Sequence, residues 1–146
     1  MKLSFEVWGR IRKPVAATFN AVYNPAILSR YFTTGGASGP LATGKTVMWD
    51  FADFPGAFPV TVKRCVRNRR IAIGWGSATG GNNTVEFRFK KVGPRCTEVR
   101  IRESGWPDTP KGRKAAFDNC MGWSQMLAAM KAWCEHRINL RNGFYK

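Results

Sequence analysis

The chain has 146 residues, enough for one hydrophobic core, and hydrophobic residues make up 44% of it. This composition excludes a disordered protein, and no apolar run approaches the ~20 residues that cross a bilayer as a helix. The formal net charge of +15 would attract an acidic protein, a nucleic acid or anionic lipid. Because the basic residues are dispersed, without a sustained run of like charges, specific nucleic-acid binding is not favoured.

The cysteines and the N-terminus point to a reducing compartment. Residues 1–6 contain a glutamate and lack the apolar core of a signal peptide. The cysteines have no paired spacing, which predicts reduced thiols in a cytoplasmic protein rather than a zinc site or a disulfide framework: Cys65, Cys96, Cys120 and Cys134.

The first elements are predicted to be one strand and two helices. Lys2–Ile11 alternates apolar and polar residues, which predicts a strand with one face in the core. Trp8 falls on the polar face, and we interpret it as a covered edge or a contact with another chain. Pro14 suits the first turn of a helix, and Asn24-Pro25 predicts the end of that helix and the start of a second, short one.

A series of antiparallel strands is predicted between residues 47 and 101, where apolar residues alternate between regularly spaced turn signals. Residues 54–59 are predicted to form a wide connection within this series. The glycine-rich residues 33–45 are predicted to form a functional or mobile loop. We expect six strands, with a further edge strand hidden within residues 38–41.

A long helix is predicted over residues 110–137, with Thr109 as its N-cap and Pro110 at its first position. Residues at steps of three or four form one apolar stripe: Ala116, Cys120, Trp123, Leu127, Met130 and Cys134. We expect this helix to lie across the sheet, because nothing else in the chain could cover its stripe. Asn142-Gly143 is predicted to end the ordered chain. The chain therefore reads as one α+β domain over residues 1–146.

The order of strand, two helices, strand meander and long helix is that of the helix-grip fold. The sequence resembles the family related to the activator of the heat-shock protein 90 ATPase, within the START-like (SRPBCC, Bet v-type) superfamily. The resemblance rests on Ile11-Arg12-Lys13-Pro14 through Phe19, Asn24-Pro25, Tyr31-Phe32, Val66 through Ile71 leading to Trp75, and Gly122-Trp123 followed by Leu127, Met130 and Glu135. It implies an apolar cavity between the sheet and the long helix.

Four large rings lie on predicted inward faces: Trp49, Trp75, Phe87 and Trp123. They indicate either ordinary core packing or the lining of a ligand cleft. Our preferred hypothesis is non-covalent binding of a hydrophobic or aromatic small molecule, with Tyr31 near the mouth of the cavity. The full candidate set is Tyr31, Trp49, Trp75, Phe87, Glu103, Trp123, Leu127 and Met130.

Two charged residues fall in register with apolar faces of predicted strands. Arg64 follows Val60 and Val62, and Glu103 follows Val99 and Ile101. Either charge could orient the polar group of a ligand. Alternatively, a bulge near Cys65 turns Arg64 outward, and a strand end lets Glu103 reach water.

The sequence gives little support for catalysis. The single histidine, His136, falls near the end of the predicted long helix, and no carboxylates or cysteines have metal-ligand spacing. We predict a binding domain without a metal, cofactor or catalytic residue. The alternatives are a co-chaperone-like domain for an acidic protein, a basic nucleic-acid-associated protein, and a cyclase-like enzyme using Glu103 as a general acid. A monomer and a dimer both stay open.

Overall fold

A computed structural model describes residues 2–146, which form a curved seven-stranded antiparallel sheet and three helices. The elements in chain order are β1 (Lys2–Ile11), α1 (Val15–Tyr23), α2 (Pro25–Leu28), β2 (Gly36–Ala37), β3 (Thr46–Phe51), β4 (Phe54–Val66), β5 (Arg70–Gly76), β6 (Asn82–Gly93), β7 (Cys96–Pro107) and α3 (Pro110–His136). The strand order β1-β7-β6-β5-β4-β3-β2 leaves β1 and β2 at the edges. Within residues 2–146, no helix is long and apolar enough to cross a membrane.

The first strand has the two faces that its sequence predicts. Exposure alternates along β1, and its core face meets α3, where a side chain on Gly9 would press on Leu127. Trp8 lies on the outer face and is 56% exposed. The guanidinium carbon of Arg100 lies 5.0 Å from the centre of the Trp8 ring, so a cation–π contact covers part of this edge residue.

The sheet has seven strands rather than six. The additional strand, β2, lies at Gly36–Ala37 instead of within residues 38–41, and it pairs with Trp49 and Asp50 of β3. Residues 54–59 are also not a wide connection, because Phe54 pairs with Phe51 and begins β4. Pairing of β4 with β5 starts only at Thr61, so the prolines of residues 54–59 lie where one side of the strand has no partner.

The long helix matches the prediction closely. The hydroxyl oxygen of Thr109 accepts a hydrogen bond from the Gly112 amide at 3.0 Å and caps α3, which ends at His136. The predicted stripe is buried except at half-buried Cys120, and it packs on β1 and β7. The Trp123 ring meets Phe87 edge to face at 5.4 Å, in the centre of the core.

The ordered chain does not end at Asn142-Gly143, where the sequence predicted its end. Arg137 adopts the left-handed conformation with φ 58°, which turns the chain back at the end of α3. Residues 138–146, which we call the C-terminal segment, then run back along the helix. The side chain of Asn139 accepts from the amides of Arg141 and Asn142, which shapes a turn within the segment.

Two glycines of α3 provide a matched test of this packing. A Cβ on Gly112 would overlap the carbonyl oxygen of Pro107, whereas a Cβ on Gly122 would meet no atom of another element within 4 Å. We expect Gly112→Ala to destabilise the protein by ~1–3 kcal/mol through overpacking. Gly122→Ala should stabilise it by ~0.5–1 kcal/mol through helix propensity. Urea unfolding followed by tryptophan fluorescence measures both, and shifts of the same sign would contradict the described packing.

Candidate ligand-binding site

The interior contains one fully buried carboxylate, Glu103 of β7. Its Oε1 accepts from the indole Nε1 of Trp123 at 2.8 Å, and its Oε2 accepts from the indole Nε1 of Trp75 at 2.9 Å. The amide Nδ2 of Asn83 donates to Oε2 at 3.0 Å. The amide of Asn119 donates to both oxygens, at 3.1 and 3.2 Å. Four side chains from β5, β6 and α3 therefore converge on this carboxylate.

All of these donors are neutral. Within residues 2–146, no lysine, arginine or histidine forms an ion pair with Glu103. A buried charge is costly unless hydrogen bonds replace its water, and hydrogen bonds to a charged acceptor are the stronger kind. Glu103 thus orients the two indole rings, because each ring must keep its N–H directed at the carboxylate.

The two charged residues that fall in register with apolar faces lie in opposite environments, because Glu103 is buried and Arg64 is exposed. The expectation that Glu103 reaches water at a strand end is wrong, because β7 continues to Pro107 and keeps the Glu103 side chain inside. For Arg64, the bulge alternative is confirmed. The β4–β5 register shifts between Val62 and Arg64, and the Arg64 side chain is exposed.

The Trp75 and Trp123 rings lie 5.4 Å apart and border a cleft of about 300 Å³. It opens between the N-terminal half of α3, the β3–β4 turn and the C-terminal segment. Its remaining walls are Phe32, Phe51, Phe54, Asp118, Asn119, Met121, Gly122, Arg141 and Tyr145. A mostly aromatic cleft with few polar groups is the usual form of a small-molecule site.

The C-terminal segment is fixed across this cleft by Arg141. Its guanidinium donates to both carboxylate oxygens of Asp53, at 2.9 and 3.1 Å, and the two side chains are only 12% and 10% exposed. The guanidinium carbon also lies 4.8 Å from the ring centre of Phe51, 5.2 Å from Tyr145 and 5.7 Å from Phe32. Such a bidentate, nearly dry pair holds the segment in one position.

Three of the eight predicted site residues are joined by hydrogen bonds at the cleft: Trp75, Glu103 and Trp123. The others lie deeper in the core, and their contact with a ligand stays a prediction: Tyr31, Trp49, Phe87, Leu127 and Met130. Along the C-terminal half of α3, the space between helix and sheet is thus occupied by side chains. The Nε1 of Trp49 is buried there without a hydrogen-bond partner.

Tyr31 does not lie near an opening, where the sequence placed it. Its ring is fully buried, and its hydroxyl donates to the carbonyl oxygen of Ala21 at 2.8 Å. Burial, together with the electrostatic effect of Cys134, raises the pKa of Tyr31 well above its ordinary value. Burial also raises the pKa of Cys134 to about 11, so both groups stay protonated near neutral pH.

Sequence reasoning missed the two amides that bind Glu103. Asn119 precedes Trp123 by four residues, so helical spacing alone places them on one face. Asn83 pairs with Trp75 in the β5–β6 hairpin, a cross-strand contact that depends on the register of the two strands. The contacts of Arg141 and Tyr145 had no local signal, because they depend on the turn at the end of α3.

A larger groove of about 700 Å³ lies between α1 and the β4–β5 turn. Small and polar side chains line much of it, among them Ala16, Asn20 and Asn68. Burial raises the pKa of Cys65 on its wall, which makes that thiol a weaker nucleophile at neutral pH. Nothing comparable to the Glu103 network orients side chains there, so the aromatic cleft is the better candidate site.

Comparisons with known proteins agree with this fold. The profile of the family described as Activator of Hsp90 ATPase homolog 1-like protein matches residues 12–135. Protein SSP2350 from Staphylococcus saprophyticus has a similar structure, with a TM-score of 0.82, 19% identity, and coverage of 95% of this chain and 96% of that one. The comparison with curated proteins gave no match.

Two further structures share the architecture. The Aha1 dimer from Colwellia psychrerythraea gives a TM-score of 0.75 at 18% identity, covering 92% of this chain and 98% of that one. CalU16 from Micromonospora echinospora gives 0.74 at 18% identity, covering 97% and 80%. At these identities, the likeness establishes the fold and leaves the ligand to be argued from the site.

Replacing the central carboxylate tests the network. In Glu103→Gln, one oxygen becomes an NH₂ group that cannot accept, so donors from the indoles or amides lose their partner. We expect a loss of ~1–3 kcal/mol in unfolding free energy. Glu6→Gln, which alters a surface carboxylate paired with Arg100, is the control and should change stability by less than ~1 kcal/mol. Urea unfolding measures the free energy of unfolding of both variants. A Glu103→Gln variant as stable as the parent chain would contradict the assigned hydrogen bonds.

Proposed function

The chain belongs to the family of Activator of Hsp90 ATPase homolog 1-like proteins, and from that premise we propose that it binds a hydrophobic or aromatic small molecule without transforming it chemically. The ligand would occupy the cleft bordered by Trp75 and Trp123. One observation carries the proposal: a fully buried carboxylate holds both indoles in place beside an open space. Rings fixed in advance lose little conformational freedom when a ligand binds.

The size of the cleft is consistent with a ring-containing ligand. Small-molecule sites occupy roughly 300–1,000 Å³, and an apolar cavity of about 150 Å³ suffices for benzene. At about 300 Å³, the cleft lies at the lower end of that range. This volume favours a compact ligand with one or two rings over a long acyl chain.

Gly122 keeps the helical wall of the cleft open. It lies in the interior of α3, where glycine is less favourable than alanine by about 1 kcal/mol. No atom of another element lies within 4 Å of the position that its Cβ would occupy. A side chain at residue 122 would therefore project into space that a ligand could use.

Binding is a better proposal than catalysis for this geometry. His136 lies at the far end of α3, 13 residues from Trp123, which corresponds to roughly 20 Å along a helix. Both oxygens of Glu103 already accept from at least two N–H groups. A general acid would need an O–H directed at the substrate. Both oxygens of this carboxylate are instead occupied by N–H donors of the protein.

Ligand titrations test the proposal directly. We expect compact aromatic compounds from a mixed panel with fatty acids to change the tryptophan fluorescence and to raise the melting temperature. Gly122→Leu should fill the cleft and weaken binding by at least about tenfold while the protein stays folded. Phe117→Leu, at an exposed position of the same helix that does not line the cleft, is the control and should bind as the parent chain does.

Two results would contradict the proposal. One is a panel in which no compound changes either signal. The other is a Gly122→Leu variant that binds the active compounds as tightly as the parent chain.

A further inference from the structure

A carboxylate without a basic partner lies behind the cleft of this strongly basic protein. The chain has 24 lysine and arginine residues but only nine aspartate and glutamate residues. Three of those nine carboxylates lie at this cleft: Glu103 holds its indoles, Asp118 is in its wall, and Asp53 holds Arg141. Two of the three are paired with basic residues, Asp53 with Arg141 and Asp118 with Lys114, and Lys146 lies over a phenylalanine ring of the wall. Among residues 2–146, no basic residue pairs with Glu103, so its negative charge behind the indoles is not balanced by an ion pair.

The aromatic walls also favour a cation. The Nε1–H groups of Trp75 and Trp123 are both donated to Glu103. Since these polar edges are engaged, a ligand meets carbon atoms of the rings, chiefly those of half-buried Trp75, because Trp123 is only 2% exposed. The faces of aromatic rings carry negative electrostatic potential and attract cations, tryptophan most strongly.

A guanidinium of the chain itself already occupies part of this aromatic surface. Arg141 lies within 6 Å of three ring centres, those of Phe51, Tyr145 and Phe32, and the Asp53 carboxylate completes its surroundings. Several rings around one cation is the arrangement by which proteins recognise quaternary ammonium groups. Phe32 also contacts Trp123 at 5.3 Å, so the rings around Arg141 continue into the indole wall.

We propose that the ligand of this cleft is an organic cation, in which an amine, guanidinium or quaternary ammonium group is joined to an apolar or aromatic body. The inference rests on the proposed function and names the class of ligand. The charged group would lie against the exposed part of the Trp75 ring near Asp118, with the apolar body among the phenylalanine rings. An anionic ligand fits less well, because the Arg141 and Lys114 charges are already paired with Asp53 and Asp118, whereas Glu103 has no basic partner.

Three probes of similar shape but different charge show how much the charge of a ligand contributes to its affinity. Benzyltrimethylammonium is a cation, neopentylbenzene is its neutral carbon isostere, and phenylmethanesulfonate is an anion of similar size. Dissociation constants are measured by tryptophan fluorescence on the full chain in about 0.15 M salt, where the Debye length is about 8 Å and the net charge is largely screened. We expect the cation to bind at least about tenfold more tightly than the neutral isostere, and the anion most weakly.

The outcomes distinguish this inference from the proposed function. If the neutral isostere binds as tightly as the cation, or the anion binds most tightly, the inference is overturned and the proposed function stands. If none of the three binds while another compound of the wider panel does, only the inference is overturned; if no compound of either set binds, both are overturned.

A pair of variants locates the effect in the cleft. Asp118 and Asp108 are both surface carboxylates paired with a basic residue of α3, but only Asp118 lines the cleft. Asp118→Asn should weaken binding of benzyltrimethylammonium by about three- to tenfold and leave neopentylbenzene unchanged. Asp108→Asn should change neither. Equal losses for the cation in both variants would show a general charge effect and overturn the inference.

Discussion

The shape of the proposed ligand cleft depends on one buried carboxylate, Glu103, which has no cationic partner among residues 2–146. Removing Glu103 from water costs several kcal/mol, which is offset only when donors fill its acceptor sites. Those donors come from β5, β6 and α3, so the helix cannot rotate or slide on the sheet without leaving the charge unpaired. The orientation of both indoles, and with it the shape of the cleft, follows from this requirement.

The helix then divides the interior into a closed part and an open part. In its C-terminal half, Leu127 and Met130 fill the space against the sheet, as a stabilising core requires. At its centre, Gly122 leaves space beside the indoles. The C-terminal segment supplies the last wall, held by the nearly buried pair of Arg141 and Asp53. Stability and binding are therefore assigned to different stretches of one helix.

Local periodicity was sufficient to predict β1, the central hairpins and α3, because each has a face of its own to bury. It could not find β2, which is two residues long, nor the start of β4, where prolines resemble a loop. The contacts of the site join residues that are far apart in the sequence. Glu103 meets its donors 16 to 28 residues away, and Arg141 meets Asp53 88 residues away. No local pattern shows whether a charge on an apolar face has found partners, so the outward alternative for Glu103 was reasonable and wrong.

The indole N–H groups report on this constraint individually in a ¹⁵N–¹H NMR spectrum. Trp75 and Trp123 should show strongly downfield N–H resonances that exchange slowly with solvent, because each donates to a buried carboxylate. Trp8 is 56% exposed and should exchange rapidly, while buried Trp49, which has no acceptor, should exchange slowly without the downfield shift. If the N–H groups of Trp75 and Trp123 exchange as rapidly as that of Trp8, Glu103 does not hold the indoles and the cleft is not preformed.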